Sequence, residues 1–169
     1  MVLTRDVILR EIAAGRLEVD PFMPEQVGPA SIDLHLGDEI RVMEGGGDPV
    51  AVTDDADYRA MTRLRALARP YVLGPGETVL GITRERVRLP PDLAGWLEGR
   101  SRYARLGLMI HVTAGFIAPG VNSRQVLEMS NVAKHPLVIH AGVRLCQIVL
   151  QRCEGEAVYT GRFARQDRP

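Results

Sequence analysis

The chain has 169 residues, enough to bury roughly two thirds of its unfolded surface, so it needs neither disulfides nor a structural metal to fold. Its 21 basic and 21 acidic residues cancel, which argues against a partner that is a nucleic-acid polymer but leaves room for a local basic pocket. Cys146 and Cys153 show no CxxC spacing and no neighbouring His-Cys set, so neither a disulfide framework nor a zinc site is expected.

The opening Met1-Val2-Leu3-Thr4-Arg5-Asp6 lacks the long apolar stretch of a secretory signal, and no later run reaches membrane-spanning length. A cytoplasmic protein with no membrane partner is expected. Thr4 is placed to cap a helix whose apolar positions Val7, Ile8, Ile12 and Ala13 recur at helical spacing, and Gly15 offers a left-handed stop. From Leu17 the pattern changes to short apolar or alternating segments broken by Pro and Gly, the signature of an all-β sandwich or barrel. Strands are expected at residues 31–36, 39–43, 71–73, 77–83, 93–98, 126–131, 137–139 and 146–152. Cys146, in the last of these, reads as core. Residues 44–69 begin with an acid and a run of glycines and then turn basic and alanine-rich, which predicts a loop with about one helical turn. Gly74-Pro75-Gly76 and Pro90-Pro91-Asp92 read as turns, and residues 103–108 as a short helix inside the β framework whose amides lie beside Arg100 and Ser101. No repeat or boundary interrupts the pattern, so one domain over residues 1–169 is expected.

The most informative block is Gly99-Arg100-Ser101-Arg102-Tyr103-Ala104-Arg105-Leu106-Gly107, followed by His111-Val112-Thr113-Ala114-Gly115 and then by Glu128. Arginines at 100, 102 and 105 with Ser101, bounded by glycines, suit a polyphosphate, because guanidinium forks pair bidentately with phosphate oxygens and keep their charge. Glu128 follows Val126-Leu127 on a predicted strand, a lone carboxylate downstream of that cradle. The bland alternatives are a solvated basic turn and a surface glutamate. Zinc-dependent nucleobase deaminases carry H-x-E and P-C-x-x-C ligand motifs. Neither occurs here, so any such chemistry would be metal-free at the base.

The block from Gly99 to Gly107, the run Val112-Thr113-Ala114-Gly115-Phe116-Ile117 and the string Val126-Leu127-Glu128 resemble the central motifs of the dCTP deaminase family, within the wider trimeric dUTPase superfamily. Pro21-Phe22 and Pro29-Ala30-Ser31-Ile32-Asp33-Leu34-His35-Leu36-Gly37 resemble the family's opening segment, so the likeness covers most of the chain outside residues 45–69. The resemblance implies an all-β distorted barrel or jelly roll of the dUTPase-like β-clip type with a short N-terminal helix. It also implies a homotrimer with sites between neighbouring subunits, and hydrolytic deamination of dCTP to dUTP and ammonia in pyrimidine deoxynucleotide metabolism.

By the same resemblance Glu128 is the catalytic proton shuttle, a general base contributing on the order of 10²- to 10⁴-fold in rate, with Ser101 and Arg105 holding the water and the carboxylate. The backbone around Thr113 and Ala114 meets the pyrimidine edge, where small side chains permit close approach, and Val126 and Leu127 adjoin it. Arg100, Ser101 and Arg102 lead the triphosphate contacts. Mg²⁺ rides on the triphosphate and needs few protein ligands. Gln147 matches a further nucleotide-contacting position, where a buried glutamine closing a strand hydrogen bond is the plain alternative. Tyr159, Arg162 and Gln166, in Tyr-Thr-Gly-Arg-Phe-Ala-Arg-Gln, resemble the final motif Tyr-x-Gly-Lys-Tyr-x-x-Gln, a tail that folds over bound nucleotide. His111 reads as a packed histidine outside the site.

The chain departs from the family at several points. Where the family and the dUTPases have aspartate two residues before a glycine, this chain reads Phe116-Ile117-Ala118-Pro119-Gly120. Ala118 holds neither a water nor a sugar hydroxyl. In dUTPases that aspartate activates the attacking water, so its absence argues against diphosphatase activity. In deaminases it contacts the 3′-hydroxyl, so Ala118 predicts weaker sugar binding and discrimination. Arg102 replaces a serine and either adds a phosphate contact or crowds the cradle. Val121 replaces an aromatic, and the sequence stops at Pro169, before the family's usual serine-containing tail. The alternatives are a dUTP diphosphatase or bifunctional enzyme, and a non-catalytic nucleotide-binding paralogue.

Overall fold

The computed structural model describes every residue except Val112, so the expectation placed on Val112 lies outside the described residues. Helix α1 (Arg5–Ala13) forms where the apolar period predicts it, burying Ile8 completely and ending at Ala14 before Gly15, whose φ is +66°. Thr4 takes the N-cap position, but its hydroxyl donates to the Asp6 carboxylate at 2.5 Å and leaves the helix amides uncapped by a side chain.

Eleven strands follow among the described residues: β1 (Glu18–Asp20), β2 (Ile32–Met43), β3 (Thr62–Ala66), β4 (Tyr71–Leu73), β5 (Thr78–Arg88), β6 (Leu93–Gly99), β7 (Leu108–Ile110), β8 (Phe116–Ile117), β9 (Asn122–Asn131), β10 (Leu137–Ile139) and β11 (Arg144–Arg152). The main sheet runs β7-β9-β5-β2-β11-β6-β8, with β1 added on β5 and β3 on β2, and β10 pairs with β4 apart from it. Every pairing is antiparallel. Strand β2 pairs with β11 through its first half and with β5 and β3 through its second, which bends the sheet around the core. This is the all-β, dUTPase-like architecture expected, a curled sheet with two helices.

The expected strands at 31–36 and 39–43 are one strand, β2, with a register shift between Leu36 and Ile40. Gly37 lies at that irregularity, and a Cβ there would stand 3.0 Å from the Ile82 carbonyl oxygen, so only glycine lets β2 approach β5 so closely. Leu34, Leu36, Ile82, Leu127 and Ile148 are fully buried inside the curl, each stabilising the fold by about 1.5–3 kcal/mol relative to exposure. Glu85, also fully buried, accepts hydrogen bonds from the Gln26 amide nitrogen at 2.9 Å and the His35 backbone N–H at 2.8 Å, and its carboxylate lies 2.5 Å from His35 Nδ1. That cluster ties the 3₁₀ turn Pro24–Gln26 to β2 and β5.

The expected helix at 103–108 forms earlier and is shorter, as α2 (Ser101–Ala104), and Leu108 opens β7. Gly107 ends the turn with φ +85°, packed so tightly that a Cβ would lie 2.7 Å from the Ala133 Cβ. The segment 44–69 holds more structure than a loop with one helical turn: a 3₁₀ turn at Tyr58–Met61 leads into β3 along β2. No helix among the described residues is long and apolar enough to cross a membrane.

Candidate active site

Alternation along β9 buries Leu127 and Met129 completely and turns Val126 and Glu128 to the other face. Val126 and Glu128 border a cavity of about 550 Å³, together with Ala114, Ala118, Tyr159 and Gln166. The edge of β9 away from β5 is paired at residues 129–131 by β7. Near its start it is covered by the tail, where the Asn122 and Arg124 amides donate to the Ala164 and Gln166 carbonyls at 3.2 and 3.0 Å. Glu128 lies between the two covered stretches.

The loop after β7 is fastened to Glu128 from two sides. The Thr113 hydroxyl donates to the Glu128 carboxylate at 2.5 Å, and the His111 amide donates to the Glu128 carbonyl at 2.9 Å. His111 has φ +57°, a left-handed conformation rare outside glycine, and its Nε2 donates to the Ala114 carbonyl at 2.9 Å, closing the turn on itself. Its buried Nδ1 has no hydrogen-bond partner among the described residues. His111, expected outside the site, therefore lines it. Among the described residues that border this cavity, Glu128 is the only acid, and neither Arg nor Lys is present. The arrangement can take up, hold and return a proton, but it lacks a cation for a phosphate chain.

The expected phosphate contacts lie elsewhere. Arg100 stands 3.2 Å from the Asp33 carboxylate and donates to the Arg144 carbonyl at 3.1 Å, and Arg144 reaches the same carboxylate at 3.8 Å. Gln147, opposite Asp33 in the β2–β11 register, accepts from the Ser31 hydroxyl at 2.7 Å and donates to the Gly99 carbonyl at 3.3 Å. Ser101, Arg102 and Arg105, on α2 and the turn behind it, are exposed. None of these side chains borders the Glu128 cavity of its own chain, so Ser101 and Arg105 do not flank Glu128 within one subunit.

Two further expected site residues have side chains that do not border the Glu128 cavity. The Leu127 side chain is fully buried in the core, because the strand's two-residue period turns it away from the cavity. Arg162 borders a neighbouring, more open cleft and stands 3.7 Å from the Asp57 carboxylate. Tyr159 belongs to both cavities. Cys146 is fully buried, as expected of a core residue, and burial pushes its thiol well above the usual range, which keeps it protonated and inert. Sequence reasoning also missed Tyr58, which reaches the Glu128 cavity from the 3₁₀ turn. No group of three or more His, Cys, Asp or Glu side chains is placed to hold a metal among the described residues.

The family model described as dCTP deaminase-like matches residues 2–153. The chain belongs to the dCTP deaminase-like family of enzymes. A relative from Mycolicibacterium vanbaalenii named "dCTP deaminase, dUMP-forming" is 44% identical over 161 residues, covering 93% of this chain and 83% of that protein. One from Methanosphaera stadtmanae with the same name is 37% identical over 155 residues, covering 89% and 78%. The crystal structure of 2′-deoxycytidine 5′-triphosphate deaminase from Agrobacterium tumefaciens superposes with a TM-score of 0.70 at 24% identity. It is matched over 90% of this chain and 48% of its own, so this chain spans about half its length. The dUTPase from phage phi11 of S. aureus superposes with a TM-score of 0.54 at 16% identity, over 86% and 96% of the two chains. These structures share the fold of the dCTP deaminase-like chain. The relatives' names correct one expectation: they specify dUMP as product, where the motifs led to dUTP. The tail motif from Tyr159 to Gln166 lies beyond the span that the family model matches.

Proposed function

We propose that this enzyme deaminates dCTP at Glu128 and carries the product on to dUMP. The observation that carries the reading is the single carboxylate of the cavity, held by Thr113 on the loop whose small residues leave room for a base edge. In the first step a water oxygen adds to C4 as Glu128 takes its proton. Glu128 delivers that proton to ring N3 and then carries the C4 hydroxyl proton to the amino group, so that the C4–N4 bond breaks, ammonia leaves and the C4 carbonyl forms, and dCTP and water give dUTP and ammonia. In the second step water attacks the phosphate chain, giving dUMP and pyrophosphate. The relatives' names support that product.

Because neither Arg nor Lys borders the Glu128 cavity among the described residues, we assign Arg100, Ser101, Arg102, Arg105 and Gln147 to the site of a neighbouring copy in a homotrimer. The Arg100 guanidinium, already oriented by Asp33, then meets the phosphates. The donor set around it fits Mg²⁺ borne by the triphosphate, since Asp33 Oδ2, the carboxylate oxygen beside Arg100, faces two guanidinium groups. The cytoplasm, with its nucleotide pool, is the compartment this reading implies.

Ala118 gives the second step no carboxylate in the cavity wall, so that step is the slower one and dUTP accumulates transiently. The test is a time course with Mg²⁺ and dCTP that quantifies ammonia, dUTP, dUMP and pyrophosphate. Ammonia with a dUTP transient, followed by equal amounts of dUMP and pyrophosphate, is expected. No ammonia would move the chain to the non-catalytic, nucleotide-binding branch of the fold.

A further inference from the structure

We infer that Tyr58, on the turn between β2 and β3, is a substrate-positioning residue whose ring packs against the sugar of the bound nucleoside. The inference rests on the dCTP reading of the Glu128 cavity.

Tyr58 lies in residues 45–69, which none of the motifs singled out in the sequence reaches, yet it borders the same cavity as Glu128. Cross-strand register explains how it gets there. Glu128 on β9 pairs with Leu80 on β5, and Leu80 pairs with Arg41 on β2. The Arg41 guanidinium lies over the Tyr58 ring, 5.7 Å from its centre. Glu128 and Arg41 therefore stand two strand spacings, about 10 Å, apart in the sheet, and the Arg41 guanidinium links β2 to the Tyr58 ring on the turn. That is about the reach of a nucleoside, so a base presenting C4 to Glu128 directs its sugar toward Tyr58.

The turn is fixed before any ligand arrives. The Asp57 carboxylate caps it, accepting from the Arg59 amide at 3.1 Å and from the Arg59 guanidinium at 2.8 to 3.0 Å. The Thr62 hydroxyl donates to the Tyr58 carbonyl at 2.9 Å. Bonds with Arg59 hold the Asp57 carboxyl down at about 2, so the cap keeps its charge at any working pH. A flat ring held this way offers an apolar face at little entropic cost, and Ala118, elsewhere in the lining of the same cavity, supplies no polar side-chain contact.

The experiment compares dCTP binding by calorimetry, with Mg²⁺, in Glu128→Gln and in Glu128→Gln/Tyr58→Ala. A Kd raised about tenfold by the second change is expected. In the otherwise native enzyme, Tyr58→Ala should raise KM by the same factor with kcat kept, and Tyr58→Phe should recover most of the loss. Tyr58→Leu, which keeps bulk without a flat face, asks the same question should the alanine variant unfold. Equal binding in the two proteins, or a fall in kcat at constant KM, overturns the inference alone. Failure of Glu128→Gln itself to bind dCTP overturns the dCTP reading and the role of Tyr58 with it.

Discussion

Glu128 receives one hydroxyl hydrogen bond and borders about 550 Å³ of open cavity, whereas Arg100 is tied to the Asp33 carboxylate and to the Arg144 carbonyl at the β2–β11 seam. Both stand in the motifs that mark the family, yet the fold treats them oppositely. A carboxylate that shuttles protons needs free lone pairs and access to water. A guanidinium that receives a phosphate chain gains from being oriented in advance, with a carboxylate that keeps it in place until a stronger anion arrives. On the proposed reading, one chain presents two half-sites, a proton-transfer half and an anion half, which the nucleotide joins across two copies.

The largest effect is expected at the proton-transfer half. Glu128→Gln should lower turnover by about 10²-fold or more while calorimetry still detects dCTP binding. Parent-like turnover in that variant would break the division of labour outright. At the anion half, Arg100→Ala should raise KM for dCTP roughly 10- to 100-fold, with kcat little changed and the salt dependence of binding reduced. Mixing the Glu128→Gln and Arg100→Ala proteins, unfolding and refolding them together, should return part of the activity, because some sites then combine two intact halves. Activity that never returns would place both halves in one subunit. Ala118→Asp should speed pyrophosphate release about tenfold and shrink the dUTP transient, leaving ammonia release unaltered. The smallest effect belongs to Thr113→Val, which deletes one hydroxyl donor to Glu128. A loss of about two- to tenfold in kcat is expected from steady-state rates.

Legibility in the sequence followed the degree of burial. Helix α1 was readable because Ile8 and its neighbours recur at helical spacing, and residues 146–152 were readable because Cys146, Ile148 and Leu150 alternate into the core. Strand β3 escaped because Arg63, Arg65 and Ala66 are exposed. Its pairing comes from the backbone of β2, and the alternation of Thr62 and Leu64 with Arg63 and Arg65 is too short to announce it. Of strand β7 only Leu108 fell in the expected helix at 103–108, and Met109 and Ile110 were assigned to no element. The crowding of Gly107 against Ala133 settles the matter only in three dimensions. In the site, Glu128, Thr113 and Ala114 were marked by motif. His111 and Tyr58 carried no such mark: one depends on a left-handed backbone, the other on a cross-strand register joining residues seventy positions apart.

The tail that seats Gln166 at the cavity has a second consequence, for solubility. Its carbonyls at Ala164 and Gln166 occupy amides on the opening half of β9, a stretch of strand edge that would otherwise offer a pairing template to any extended chain. Cleavage at the exposed Glu154-Gly155 turn that frees residues 155–169 would therefore do more than open the Glu128 cavity. It would uncover a sticky strand edge, and light scattering of the trimmed protein should rise with concentration where that of the intact protein stays flat.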